Sequence, residues 1–263
     1  MKLIFWLLLV IALVAAEFFK VYFIMPFPGS QESDTIDLAY SLHNYIWYIR
    51  LPLWALAAFL LYKIFNRGRN WQKITSVALL AFYCVVVYMF NFRFLADKMF
   101  LQPESKVMAK PAENIVPKDM VVLGVVINGE ARAYPVEIIG YHHQVLDTVG
   151  GKPVMVTYCT VCRTGRVFSP MVDGKYETFR LVGMDHFNAM FEDATTKSWW
   201  RQVNGEAIKG PMAGKKLEEL NFTQTTLDSW LERHPESLIL QFDPKFTKKY
   251  EGLSGYDRGT IGG

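Results

Sequence analysis

The chain has 263 residues, 51% of them hydrophobic, and a formal net charge of +3 at pH 7. That length accommodates one sizeable domain with additional elements, and the apolar content is concentrated in the first third. The positive charge sits largely with the flanks of those apolar runs, which excludes a nucleic-acid footprint, and no Gly-rich nucleotide loop, HExxH helix or GxSxG elbow is present.

Three apolar runs open the chain: Leu3 to about Met25, Tyr45 to Phe65, and Ile74 to Phe94. Each approaches the roughly 20 residues that a helix needs to cross a bilayer core, where no water can satisfy an open backbone. The connection between the second and third carries Lys63, Arg67, Arg69 and Lys73, whereas the one from Pro26 to Asn44 carries Glu32, Asp34 and Asp37 and no Lys or Arg. Basic short loops stay in the cytoplasm, so the N-terminus is expected inside and everything beyond about Leu95 outside. A rival reading takes the first run as a signal peptide, with Lys2 as its basic start and Val14-Ala15-Ala16 as its cleavage site. The apolar run continues through Phe18, Phe19, Val21 and Ile24, which favours an uncleaved span.

Glu17 and Lys20, three residues apart, share a helical face and are expected to pair near the outer interface. Arg50, beside Trp47 and Tyr48, is expected to snorkel to the headgroups, and Cys84 to be an inert thiol within the third span.

Beyond the membrane region, residues 1–94, the sequence from 95 to 118 contains Pro103, Pro111 and Pro117 and reads as a linker with little regular structure. A compact domain is expected over 119–242. Asn128-Gly129 predicts a hairpin between Val121–Ile127 and a strand over 130–134, and Asp173-Gly174 predicts another between 167–172 and 176–181. Between them a strand is expected over 154–158. Further strands are expected over 188–192, 198–202 and 238–242, with a Thr-capped helix over 226–234 stopped by Pro235. Residues 243–263 read as a mobile or peripheral tail. The fold class is therefore an N-terminal α-helical membrane region of three spans plus a mostly β (α+β) extracytoplasmic domain.

The chemistry-bearing motif is Tyr158-Cys159-Thr160-Val161-Cys162 at the end of an apolar strand. Two thiols at this spacing can close a disulfide, bind a metal or exchange electrons. A thioredoxin-type site would place the first thiol at a helix N-terminus, but Arg163 to Phe168 reads as a turn into another strand. Arg163 and Arg166 remain available to depress a thiol pKa. A metal site for copper, zinc or iron would recruit His142 and His143 to Cys159 and Cys162, with Asp185 and His186 as further donors. An enzyme would use Cys159, Cys162 or a bound metal with Asp147 or Asp193 as acid or base, although Asp beside Gly or Thr is more often a turn residue. Trp199, Trp200 and Trp230 read as core or groove-lining residues.

These segments together resemble a bacterial family, the domain of unknown function 3179: residues 126–135, the His143 to Asp147 segment, Tyr158-Cys159-x-x-Cys162, and then Asn188, Asp193, Thr196, Ser198, Trp200, Gln202 and Gly210. The resemblance covers roughly Val121 to Leu240 and implies no reaction. The chain departs from the family pattern at Leu146, Thr160 and Arg163, where Asn, Pro and Gly are usual; losing that Pro and Gly alters the knuckle that would present two thiolates to a metal. Three functions stay open: metal or small-ligand binding with redox chemistry at the cysteine pair, an enzyme, and a structural or interaction module in the cell envelope. The expected partners are the lipid bilayer and a small-molecule or metal ligand, without nucleic acid.

Overall fold

The computed structural model describes residues 2–254. They divide into two units, one holding the residues up to Met99 together with Gly183–His186, the other holding the rest.

The first unit is a bundle of three helices: α1 (Lys2–Tyr22), α2 (Ile36–Arg67) and α3 (Asn70–Tyr88), the last continuing into a π-helical turn at Met89–Arg93. All three are long and apolar enough to cross a membrane. α2 starts nine residues before its apolar run, because Asp37 in its first turn favours the positive end of the helix dipole and the early turns need no apolar face. Trp6, Leu9, Leu13, Ala57, Ile64 and Tyr83 form the bundle's buried seam. Ile4, Phe5, Leu51, Phe59, Ile74 and Phe82 point outward and are exposed. A bundle with so much apolar surface on the outside is built for hydrocarbon rather than water.

The second unit is a set of small sheets with short helices. Val121–Ile127 and Glu130–Pro135 form the expected hairpin, in which Asn128 (φ 49°) and Gly129 (φ 81°) supply the two left-handed positions of the tight turn. Thr223–Thr226 pairs with the first of these strands and Leu238–Leu240, in parallel, with the second. Leu227–Arg233 is helical and capped by the Thr226 hydroxyl, which accepts from Ser229 N–H. Trp230 of that helix lies so close over the sheet that a Cβ at Gly124 would stand 2.3 Å from its ring.

Gln144–Val149, Lys152–Cys159 and Thr164–Phe168 make a three-stranded meander. A third sheet joins Phe179–Asp185, Asn188–Asp193, Trp199–Arg201 and Ala207–Lys209. The turn at Asp173-Gly174 forms, but its strands are only Met171–Val172 and Lys175–Tyr176, so the expected longer hairpin is interrupted on both sides. The helix Val136–His142 and the strand Gln144–Val149 are absent from the sequence expectations: the segment Val136 to Tyr141, interrupted by Glu137, has no capping signal, and its burial comes from packing on the meander.

Two segments expected to lack structure take part in this unit. Met108–Ala109 adds a strand beside Leu238–Leu240. Pro244–Phe246 and Thr247–Glu251 are helical, and Phe246 and Tyr250, four apart on one face, are buried in the main core against Tyr141. Residues 255–263 of the expected tail lie outside the described residues.

Candidate functional site

The strand Lys152–Cys159 alternates. Val154, Val156 and Tyr158 enter the main core, which turns Thr157 and Cys159 to the opposite face. The chain reverses over residues 160–163, where Arg163 adopts a left-handed φ of 50°, and pairs again at Thr164, opposite Cys159. That reversal carries Cys162 back onto Cys159. The two Sγ atoms, both free thiols, lie 2.8 Å apart, and Cys162 N–H points at Cys159 Sγ at 3.4 Å.

The pair is held from the other side by the turn before Asn188–Asp193. Phe187 O accepts from Cys162 Sγ at 3.0 Å and lies 3.6 Å from Cys159 Sγ, and Asn188 Oδ1 lies 3.3 Å from Cys162 Sγ. Phe187 has a left-handed φ of 62°, uncommon for an aromatic residue, and its carbonyl is thereby aimed at both sulfurs. Cys159 is fully buried and Cys162 is half-buried; Val161 and Phe187 beside it are exposed.

Burial, reinforced by the hydrogen bond and the charge that Cys159 would carry, pushes the Cys162 thiol up to about 12. Arg166 is engaged elsewhere: it donates to Val203 O at 3.0 Å and pairs with Glu219 at 3.4 Å. The expectation of a thiol lowered by Arg163 and Arg166 is corrected at Cys162, whose thiol is raised by burial instead.

The other candidates do not join the thiols. Asp147 faces Val154, five residues from Cys159 along the strand, or roughly 17 Å at 3.3 Å per residue. Its Oδ2 accepts from Arg132 Nη1 and Tyr134 O–H, each at 2.7 Å, and Glu130 completes this network through Arg132 Nε and Gly150 N–H. Asp193 lies at the far end of the strand that starts at Asn188, a similar distance away. Fully buried, it accepts from Thr196 N–H at 2.5 Å, Thr196 O–H at 2.7 Å, Ser198 N–H at 3.2 Å and Trp200 Nε1–H at 2.9 Å. A carboxylate so saturated is a turn anchor.

His142 is also committed. A carbonyl can only accept, so Nδ1–H donates to Leu101 O and leaves Nε2 to accept from Tyr250 O–H at 2.7 Å. His143 donates from Nδ1 to Tyr141 O at 3.2 Å beneath the Phe100 ring, and burial lowers it to about 4. Among the described residues no three His, Cys, Asp or Glu side chains are grouped to hold a metal. The set Cys159, Cys162, His142 and His143 is thus not assembled, and two thiols fall short of the four ligands of a structural zinc.

The ordered polar motif from 188 to 210 has a common explanation in this geometry. Ser198 Oγ accepts from Met212 N–H, Gly210 packs so tightly on Ser198 that a Cβ would lie 2.6 Å from its Cα, and Gln202 Nε2 donates to Thr157 Oγ1 and Thr164 O, each at 3.0 Å. Asp193, Thr196, Ser198, Trp200 and Gln202 therefore build the turn and brace the strands that present the thiols. Of one cluster, sequence reasoning expected only the Glu17–Lys20 pair, which stands at 3.6 Å, and missed the rest. Arg50, expected to snorkel, is buried and forms a two-point contact with Glu17, joined by Asn91. The signal was Asn91 itself, a polar residue placed among Met89, Phe90, Phe92 and Phe94.

The chain belongs to the family described as protein of unknown function (DUF3179), whose profile matches residues 102–260, more than half of the chain. The three long apolar helices precede the matched residues. No curated protein and no solved structure matches.

Proposed function

We propose, for this member of the family, that the matched domain is held at the outer face of a membrane by three spans and works as a dithiol–disulfide centre at Cys159 and Cys162. The observation that carries this reading is the 2.8 Å approach of two thiols of unequal exposure, one buried and one reachable. The basic connection at Lys63 to Lys73 supports the orientation.

The chemistry needs a disulfide-bearing partner as oxidant. The Cys162 thiolate attacks one sulfur of that disulfide, a mixed disulfide forms, and the partner's other sulfur leaves as a thiolate that takes up a proton. Cys159, having lost its own proton, then attacks Cys162 Sγ and releases the partner's second thiol. Two electrons and two protons pass from the pair to the partner. A stabilised thiolate favours the reduced form of such a couple; here burial opposes the thiolate, so the disulfide is the resting state in an oxidising compartment.

The test is a thiol count on full-length protein recovered without reductant, with elemental analysis of the same sample. Only Cys84 should count as a free thiol, and dithiothreitol should raise the count to three. A phosphatase fused after residue 120 should be active. Three free thiols in the unreduced protein, or about one equivalent of copper, zinc or iron lost on Cys159→Ser and Cys162→Ser, would return the pair to a metal site or to an inert part of an envelope module.

A further inference from the structure

Glu17 and Lys20 of α1, Arg50 of α2 and Asn91 of the π-helical turn meet inside the helical bundle. Arg50 Nε and Nη2 donate to the two Glu17 oxygens at 2.6 and 2.5 Å. Asn91 Nδ2 donates to Glu17 Oε2 at 2.9 Å and to Val87 O at 2.8 Å, while its Oδ1 accepts from Arg50 Nη2 at 2.8 Å and from Lys20 Nζ. Lys20 Nζ stands 3.6 Å from Glu17 Oε2. All three charged side chains are buried.

Two cations face one carboxylate, which leaves one positive charge uncompensated within the cluster. The next acidic residue on α2, Asp37, is about 20 Å away along the helix at 1.5 Å per residue. A buried net charge is costly unless something neutralises it.

The depth of the cluster suggests what does. Arg50 lies about 25 Å along α2 from Arg67, close to the thickness of a hydrocarbon core of about 30 Å, so the cluster sits at the edge remote from the basic connection. Trp47, exposed at this level, holds the Arg50 guanidinium 5.1 Å from its ring centre, as an interfacial aromatic does. A bilayer placed on these spans brings its phosphates to this level.

One turn deeper, the helices leave an apolar seam of about 270 Å³ lined by Trp6, Leu13, Trp54, Ala57, Tyr83 and Cys84. Leu13 is one turn below Glu17 and Trp54 one turn below Arg50, so the seam leads away from the charged cluster into the hydrocarbon. Trp54 Nε1–H donates to the Tyr83 hydroxyl oxygen at 2.9 Å, and exposed Cys84 marks the seam's open side.

We infer that this end of the bundle binds one anionic phospholipid, its phosphate at Lys20 and Arg50 and one acyl chain in the seam. Free inorganic phosphate has the same oxyanion chemistry but nothing to fill the seam.

Full-length protein carrying Cys159→Ser and Cys162→Ser, in uncharged detergent, leaves Cys84 as the only thiol and a reporter of the seam. Phosphatidylglycerol should slow its alkylation by N-ethylmaleimide about tenfold, as a site about nine-tenths occupied requires. Native mass spectrometry should show one retained lipid. Lys20→Gln, which removes the excess charge and keeps the Glu17–Arg50 contact, should abolish both effects, and Ala57→Phe, which fills the seam, should abolish lipid retention. If Lys20→Gln does not fold, Ala57→Phe decides. Equal protection by inorganic phosphate, or unchanged lipid retention in folded Lys20→Gln or Ala57→Phe protein, would overturn the inference.

Discussion

Glu17 and Arg50, separated by 33 residues and carried on different helices, meet through two parallel hydrogen bonds, Nε to Oε1 at 2.6 Å and Nη2 to Oε2 at 2.5 Å. The side-on fork fixes the rotation of α1 against α2, because one turn of slip would leave both charges in hydrocarbon without a partner.

Removing one member of this pair should therefore cost more than removing both. Arg50→Leu or Glu17→Leu alone should destabilise the bundle by roughly 3–5 kcal/mol, the usual penalty for a stranded buried charge, whereas the double variant should recover much of that loss. Unfolding in mixed micelles measures all three. Additive losses in the double variant would show that the two side chains do not depend on each other.

The elevated Cys162 thiol has a kinetic signature. With its pKa at about 12, the thiolate fraction of the reduced pair rises about tenfold for each pH unit from 7 through 10. Iodoacetamide alkylation of Cys162 should follow that slope without levelling off, while an ordinary thiol near 8.5 reaches its plateau by about pH 9.5. Cys159→Ser should lower the pKa only part of the way, since burial, the largest cause, persists.

His143 makes the matched domain acid-sensitive. Its folded pKa of about 4 lies below the ordinary 6.5, so between these values the unfolded chain binds a proton that the folded chain refuses. Stability is full above about pH 6.5, falls as pH drops toward 4, and loses nothing more from this residue below that. At about 1.4 kcal/mol per pKa unit the window amounts to roughly 3 kcal/mol. Urea unfolding at pH 7 and pH 4.5 measures it. His143→Asn keeps a residue suited to the left-handed φ of 63° and should flatten that part of the profile.

Asp193→Ala separates anchoring from chemistry. It strips four donors of their acceptor, each loss worth roughly 1–3 kcal/mol where burial prevents hydration, and should lower the melting temperature strongly. The alkylation profile of Cys162 in the folded fraction should not move. A changed profile would restore Asp193 to the list of acid–base candidates.

Much of this could be read in advance because it is local. The three helices follow from unbroken apolar runs, and the Asn128-Gly129 hairpin and the Thr226 cap follow from residues that tolerate or satisfy one backbone geometry. The CxxC on a turn after a strand was equally legible, since its first thiol ends a strand and its second follows within one reversal.

What the sequence could not supply was which distant groups meet. Asp147 and Asp193 look like acids on paper, and only strand register places each about a strand's length from the thiols, where Tyr134 and Arg132 or Thr196 and Trp200 already occupy them. His142 and His143 look like ligands, yet burial by Phe100, Phe246 and Tyr250 decides that they are core residues. Arg50 looks like a side chain free to snorkel until Glu17 and Asn91 arrive from two other helices. Local periodicity and turn chemistry act over a few residues and are written in sequence order. Burial, saturation of a carboxylate and the pairing of charges depend on neighbours brought together from far along the chain, so tertiary packing alone assigned these residues their roles.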